Sequence, residues 1–109
     1  MRGALAKRVP FTLVVSPTAK VELEALEVFE RRQVADAIDA NLVFEPLLET
    51  RKRKNLGELP AGFAYDPPLW QLKVGEIRVF YTVDERARTV QIRSVRRKPP
   101  EKTTLEVVR

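Results

Sequence analysis

Residues 69–83, LWQLKVGEIRVFYTV, constrain the fold more than any other stretch of this chain. Side chains alternate in character on both sides of Gly75-Glu76. A period of two marks half-buried strands, and a two-residue connection containing glycine marks a tight hairpin. A third alternating run, Thr89–Val95, follows a longer turn at Asp84–Arg88, so strands at about Leu69–Val74, Ile77–Val83 and Thr89–Val95 form an antiparallel meander. Alternation also assigns faces. Trp70, Leu72, Val74, Ile77, Val79, Tyr81, Val83, Val90, Ile92 and Ser94 fall on one side. Leu69, Gln71, Lys73, Arg78, Phe80, Thr82, Gln91, Arg93 and Val95 fall on the other, with Arg96, Arg97 and Lys98 at the strand's end. The first set needs a cover. The second reads as an open, cationic face.

The cover comes from upstream. Pro10–Ser16 (PFTLVVS) is a short β-branched strand, and Ser16-Pro17 is an N-cap followed by proline at the first helical position. A first helix is expected from Pro17 to about Arg31. Its apolar surface is broad enough for a second contact, such as a partner. A second helix is expected from about Gln33 to Phe44, with Val34, Ile38 and Leu42 on one side and Pro46 ending it. The short join at Arg31-Arg32 makes the two an antiparallel hairpin. Residues 49–68, ETRKRKNLGELPAGFAYDPP, read as a long functional or mobile loop. Pro99-Pro100 stops the last strand, and the tail TTLEVVR is ambiguous. The fold class is therefore α+β: an N-terminal strand, a helical hairpin and a three-stranded meander, with the helices on one face of a small sheet.

A length of 109 residues implies one domain, residues 1–109. No apolar run is long enough for a transmembrane span. The basic start, MRGALAKR, leads into an apolar run that reads as strand rather than signal peptide. The chain has no cysteine, which excludes disulfides and thiol nucleophiles and fits a cytoplasmic location. It also has no histidine, which excludes Cys/His zinc sites, Ser-His-Asp triads and paired-histidine nuclease chemistry. Acid–base chemistry is left to Lys, Arg, Tyr, Asp or Glu. Charge is polarised. Val21–Glu49 holds eight acidic and two basic residues, net −6, which leaves +11 on the rest of a chain whose total is +5. The basic part, with the Arg51–Lys54 run and five cations between Ala87 and Lys98, calls for an anionic partner, of which nucleic acid is the commonest.

The order of these features resembles the RelE/ParE superfamily of type II toxin–antitoxin systems. The residues that carry the resemblance are Ser16-Pro17 with Ala19-Lys20, Glu49-Thr50-Arg51, Lys54 and Leu56, Trp70-Gln71-Leu72-Lys73-Val74-Gly75, Arg78-Val79-Phe80-Tyr81, Asp84-Glu85, and Ser94-Val95 through Lys98. The resemblance covers the chain from about residue 10 to 98.

The resemblance implies a RelE-like fold and, for the RelE-like branch, a metal-independent endoribonuclease. Such an enzyme cuts messenger RNA on the ribosome, inhibits translation and uses no cofactor. Carried over by position, it implies catalytic roles for Arg78, Lys73, Lys98 and Arg97. Arg51, Lys52, Arg53, Lys54, Gln71, Arg93 and Arg96 are expected to bind nucleic acid. A cognate antitoxin is the implied partner. Gln71 stands where RelE has a lysine proposed as base, and no aromatic residue after Tyr81 matches RelE's C-terminal tyrosine. These departures keep two other readings open: a ParE-like inhibitor that binds DNA gyrase, and a non-toxic relative that only binds antitoxin or nucleic acid.

Overall fold

A computed structural model describes residues 9–109; the basic start at residues 1–8 lies outside the described residues. The elements are β1 (Thr12–Val15), α1 (Pro17–Glu24), α2 (Val28–Leu42), β2 (Arg53–Gly57), β3 (Leu69–Val74), β4 (Ile77–Asp84), β5 (Thr89–Arg97) and α3 (Thr104–Val108). The strands form one sheet in the order β1-β5-β4-β3-β2. β1 runs parallel to β5, and every other neighbouring pair is antiparallel. Strand, helical hairpin and meander occur in the expected order, on a sheet of five strands.

The Ser16 hydroxyl accepts from the Ala19 N–H at 3.1 Å and so caps α1. The helix stops at Glu24, well short of Arg31, and α2 begins at Val28. No glycine or proline forces this break; Arg31 holds it. From the first turn of α2, Arg31 Nε donates to the Leu23 carbonyl at 3.1 Å, and its NH2 donates to Glu24 at 3.2 Å and Leu26 at 3.0 Å. The last carbonyls of a helix lack intrahelical partners, and the guanidinium serves three carbonyls at this break, of which Leu23 also accepts the Leu26 N–H at 3.1 Å.

Ala19, Val34, Ile38 and Leu42 pack on Trp70, Leu72, Ile77, Val79, Tyr81, Val90, Ile92 and Val95 to form the main core. Tyr81 is fully buried and donates its hydroxyl to the Pro46 carbonyl at 2.6 Å. Burial raises its phenol well above the ordinary tyrosine value. Among the described residues no helix is long and apolar enough to cross a membrane.

Two further expectations change. First, β5 carries a bulge: Phe80 faces Ser94 and Tyr81 faces Ile92, so Arg93 is the extra residue. Beyond it every side chain switches face. Val95 joins the main core opposite Val79, while Ser94 sits opposite Phe80 on the other side. Arg97 lies opposite Ile77 and turns toward the helices, where it pairs with Glu30 at 2.9 Å. Second, residues 49–68 are not one loop. Arg53–Gly57 is an edge strand. Leu56, Leu59, Ala61, Phe63 and Tyr65 then fold over the second face, where they pack with Leu69, Phe80, Val107 and Val108. The short helix α3, capped by Thr103 and Glu106, completes this smaller core. The face opposite the helices is therefore only partly open.

Candidate functional site

The uncovered part of that face lies beside the β3–β4 hairpin, and the ladder brings cations to it from four directions. On β3 and β4, Lys73 pairs directly with Arg78. From β2, Lys54 lies opposite Gln71, and the Lys73 N–H donates to the Lys52 carbonyl at 2.8 Å. Past the end of β5, the Lys98 N–H donates to the Glu76 carbonyl at 2.6 Å, which ties that residue to the hairpin turn. Gly75 makes the turn with a left-handed φ of 60°.

The result is a cavity of about 230 Å³ lined by Arg51, Lys52, Lys54, Gln71, Lys73, Arg78, Lys98 and Thr104. Six of the eight lining residues are cationic and none is acidic. Among the described residues the ion pairs are Arg96–Glu22 and Arg97–Glu30, and neither involves a cation of this cavity. Unneutralised cations that converge this closely attract an anion.

Two lining residues are buried, each with 8% exposure: Arg78 and Gln71. Arg78 NH1 donates to the Gly75 carbonyl at 2.7 Å and to the Ile77 carbonyl at 3.1 Å, so the guanidinium is fixed by the hairpin it follows. Burial holds its pKa below the ordinary arginine value. An arginine nevertheless stays charged at any physiological pH. The Gln71 amide oxygen has no hydrogen-bond partner. A buried acceptor left unmatched costs roughly 1–3 kcal/mol.

No family model matches the chain, and no curated protein matches it by sequence. Solved structures do. A chain of the RelBE2 toxin–antitoxin complex from Mycobacterium tuberculosis aligns at 28% identity with a TM-score of 0.67, over 84% of this chain and 95% of that one. The chain shares the fold of RelE-like toxins of the RelE/ParE superfamily. A chain of the archaeal RelE–RelB complex from Pyrococcus horikoshii has the same fold, with 18% identity and a TM-score of 0.64 over 85% of this chain and 98% of that one.

In this RelE-like chain the eleven residues singled out from sequence separate into two groups. Arg51, Lys52, Lys54, Gln71, Lys73, Arg78 and Lys98 meet in the cationic cavity. The other four arginines go elsewhere. Arg53 is 6% exposed and donates NH1 to the Asn41 carbonyl near the end of α2 at 2.5 Å, a helix-capping role. Arg93 donates Nε to the Thr82 hydroxyl at 3.1 Å and lines a separate cavity of mixed charge with Asp66, Asp84 and Glu85. Arg96 lies 5.1 Å from the Phe63 ring and donates NH1 to the Val107 carbonyl at 2.9 Å, which fastens α3. Arg97 is held by Glu30. Sequence reading missed Thr104, which reaches the cavity from α3. The signal was present: Thr103 and Glu106, three residues apart, spell a capping box and hence a helix start.

Proposed function

We propose that this chain is the toxin of a type II toxin–antitoxin system and acts as a metal-independent endoribonuclease on message engaged by the ribosome. The convergence of six unpaired cations on one cavity carries the reading. A phosphodiester seated there is attacked by its own neighbouring 2′-oxygen. The new O2′–P bond forms as the P–O5′ bond breaks, which leaves a 2′,3′-cyclic phosphate and a 5′-hydroxyl. The 2′ proton goes to solvent, and O5′ takes one from the ammonium of Lys73 or Lys98, which solvent restores. Arg78 stabilises the charge that builds on the non-bridging oxygens. Its anchoring on the Gly75 and Ile77 carbonyls means that it need not reorganise to do so.

Primer extension on translated messages, before and after induction, tests this. New 5′ ends inside coding regions are expected, and an Arg78→Ala chain should lower their yield by about 100-fold or more. Growth arrest with uncut message would overturn it.

The partner is a small antitoxin, a reading supported by the toxin–antitoxin complexes named above. An apolar cleft of about 450 Å³ between β1 and the helices, with Leu13, Val15, Leu23 and Ile38 in its lining, offers it a docking surface. Co-expression with an adjacent small reading frame and capture of the pair checks this; a toxin that stays alone would count against it.

One observation favours a second reading. Val21, Val28 and Phe29 on the helices are 66%, 63% and 68% exposed, a surface suited to protein contact such as gyrase inhibition. Blocked supercoiling with intact message, lost in Phe29→Ser but kept in Arg78→Ala, would select it.

A further inference from the structure

We infer that Thr104 is a phosphorylation site, and that a phosphoryl group on its Oγ fills the cationic cavity and switches the chain off. The inference rests on the proposed role of that cavity as the seat of an RNA phosphate, and it adds a reversible covalent means of closing it.

The hydroxyl groups of the described residues single Thr104 out. Most are already committed. Ser16 and Thr103 cap helices, Thr50 accepts two backbone N–H groups, Thr82 accepts from Arg93, and Ser94 donates to Glu22. The Thr104 hydroxyl has no such partner among the described residues. Thr12 and Thr18 make none either, but they lie on β1 and α1, outside the cavity. Thr104 is the one hydroxyl in the lining, beside six cations and no carboxylate. Glu106, two residues on, turns its carboxylate to the Thr103 N–H at 2.8 Å, so α3 brings no competing acceptor to the cavity.

The transfer needs a nucleoside triphosphate and a threonine kinase. The Oγ–P bond forms as the bond from the γ-phosphorus to the β,γ-bridging oxygen breaks. The hydroxyl proton passes to the kinase's base, and nucleoside diphosphate leaves. The product carries a charge of about −1.5 to −2 and three acceptor oxygens at neutral pH. Lysine and arginine side chains only donate, so they match it fully. Charge-assisted hydrogen bonds of that kind fasten the segment that bears the phosphate. Space allows it: a phosphoryl group takes about 90 Å³, the share of three waters, in a cavity of about 230 Å³. Access allows it as well. Thr104 is half-buried, and residues 100–103 ahead of it are exposed. The helix it opens has five residues. So short a helix has little stability of its own, and its first turn opens locally to present the threonine in an extended segment. Reclosure carries the phosphate in among the cations, where it takes the place of the polynucleotide.

The test has two arms. In the first, the chain is isolated from its own cells, growing and arrested, and its tryptic peptide of residues 103–109 is sequenced by mass spectrometry. Phosphate on Thr104 is expected; phosphate on neither threonine, or on Thr103 alone, would overturn the inference. In the second, phosphothreonine is installed at residue 104 of the full chain during translation. A chain with phosphothreonine at exposed Thr18 controls for net charge, and circular dichroism checks folding. Phosphorus NMR should find the second ionisation at residue 104 lower in the folded chain than in the same chain unfolded in urea, by about one unit or more. Affinity for a short single-stranded RNA, read by fluorescence anisotropy, should fall at least about tenfold with phosphate at residue 104 and less than about threefold with phosphate at residue 18. An unshifted ionisation, equal weakening by the two phosphates, or a chain that no longer folds with phosphate at residue 104 would each overturn the inference. An unmodified chain that binds no RNA removes both this inference and the nuclease reading. Cut message with an unshifted ionisation sinks this inference alone. Uncut message, with RNA bound and then released by phosphate at residue 104, sinks only the nuclease reading.

Discussion

At the scale of single residues, five arginines of the sheet show how position decides use. Arg78 faces the cavity, Arg97 an acidic helix residue, Arg53 a helix terminus, Arg96 an aromatic ring and a carbonyl, and Arg93 a threonine on the next strand. Arg78 is the one kept buried among other cations with no carboxylate to balance it. A charge held that way serves function at the expense of stability. The Arg78→Ala chain proposed above should therefore lose RNA cleavage while its unfolding free energy in urea changes by no more than about 1 kcal/mol. Equal loss of fold and activity would mean that the guanidinium is structural. Its place was legible from alternation alone, because the β3–β4 hairpin has a two-residue turn and no bulge. Arg97 was not legible, since a one-residue slip at Arg93 reverses everything after it. The sequence did carry a trace of that slip. Ser94 in the expected core set and Val95 in the expected open set are both misfits, and a single inserted residue corrects the two together.

At the scale of elements, the segments that escaped sequence reading are those whose local chemistry disguises them. β2 is short, charged and at the sheet's edge, where lysine-rich composition is what an exposed strand carries. The break between α1 and α2 depends on Arg31, a residue several positions beyond it. The docking of α3 depends on Gly62, whose N–H donates to the Val108 carbonyl at 2.8 Å. A β-carbon on residue 62 would stand 2.3 Å from the backbone oxygen of Arg109. Gly62→Ala should consequently push the chain end off Leu69 and Phe80, seen as faster proteolysis of the C-terminus at a destabilisation of roughly 1–3 kcal/mol. An unaltered digestion pattern would refute that contact. The same helix carries a pH signature. Backbone and hydroxyl donation from Thr103 holds the Glu106 carboxyl below its ordinary value. A depressed carboxyl stabilises the fold above its unfolded pKa, and that contribution disappears as pH falls through the folded one. Protection factors against hydrogen exchange at Val107 and Val108, corrected for the intrinsic pH dependence of exchange, should fall on acidification below about pH 4.3, and Glu106→Gln should flatten that dependence. Equal pH dependence in both chains would remove Glu106 from the account.

At the scale of the molecule, one sheet separates two cores of unequal size. The larger lies under acidic helices; the smaller covers most of the opposite face and leaves the hairpin end bare. The net −6 of Val21–Glu49 and the +11 elsewhere correspond only loosely to this division. Composition announced a basic surface but could not say that Glu30 and Glu22 would neutralise Arg97 and Arg96. What matters for an anionic ligand is the set left unpaired at the cavity. A polynucleotide strand threading it meets Lys73, Arg78 and Lys98 at the centre and Arg51, Lys52 and Lys54 at the β2 edge. If three or four phosphates are neutralised, log affinity for single-stranded RNA should fall against log salt with a slope of about −2 to −3. Replacing Lys52 and Lys54 together by alanine should flatten that slope by about one, through loss of one or two phosphate contacts. Arg97→Ala removes the same kind of charge from a site already occupied by Glu30, so the slope should stay where it was. A slope that responds equally to any lost cation would mean that RNA follows the overall charge of the protein rather than this cavity.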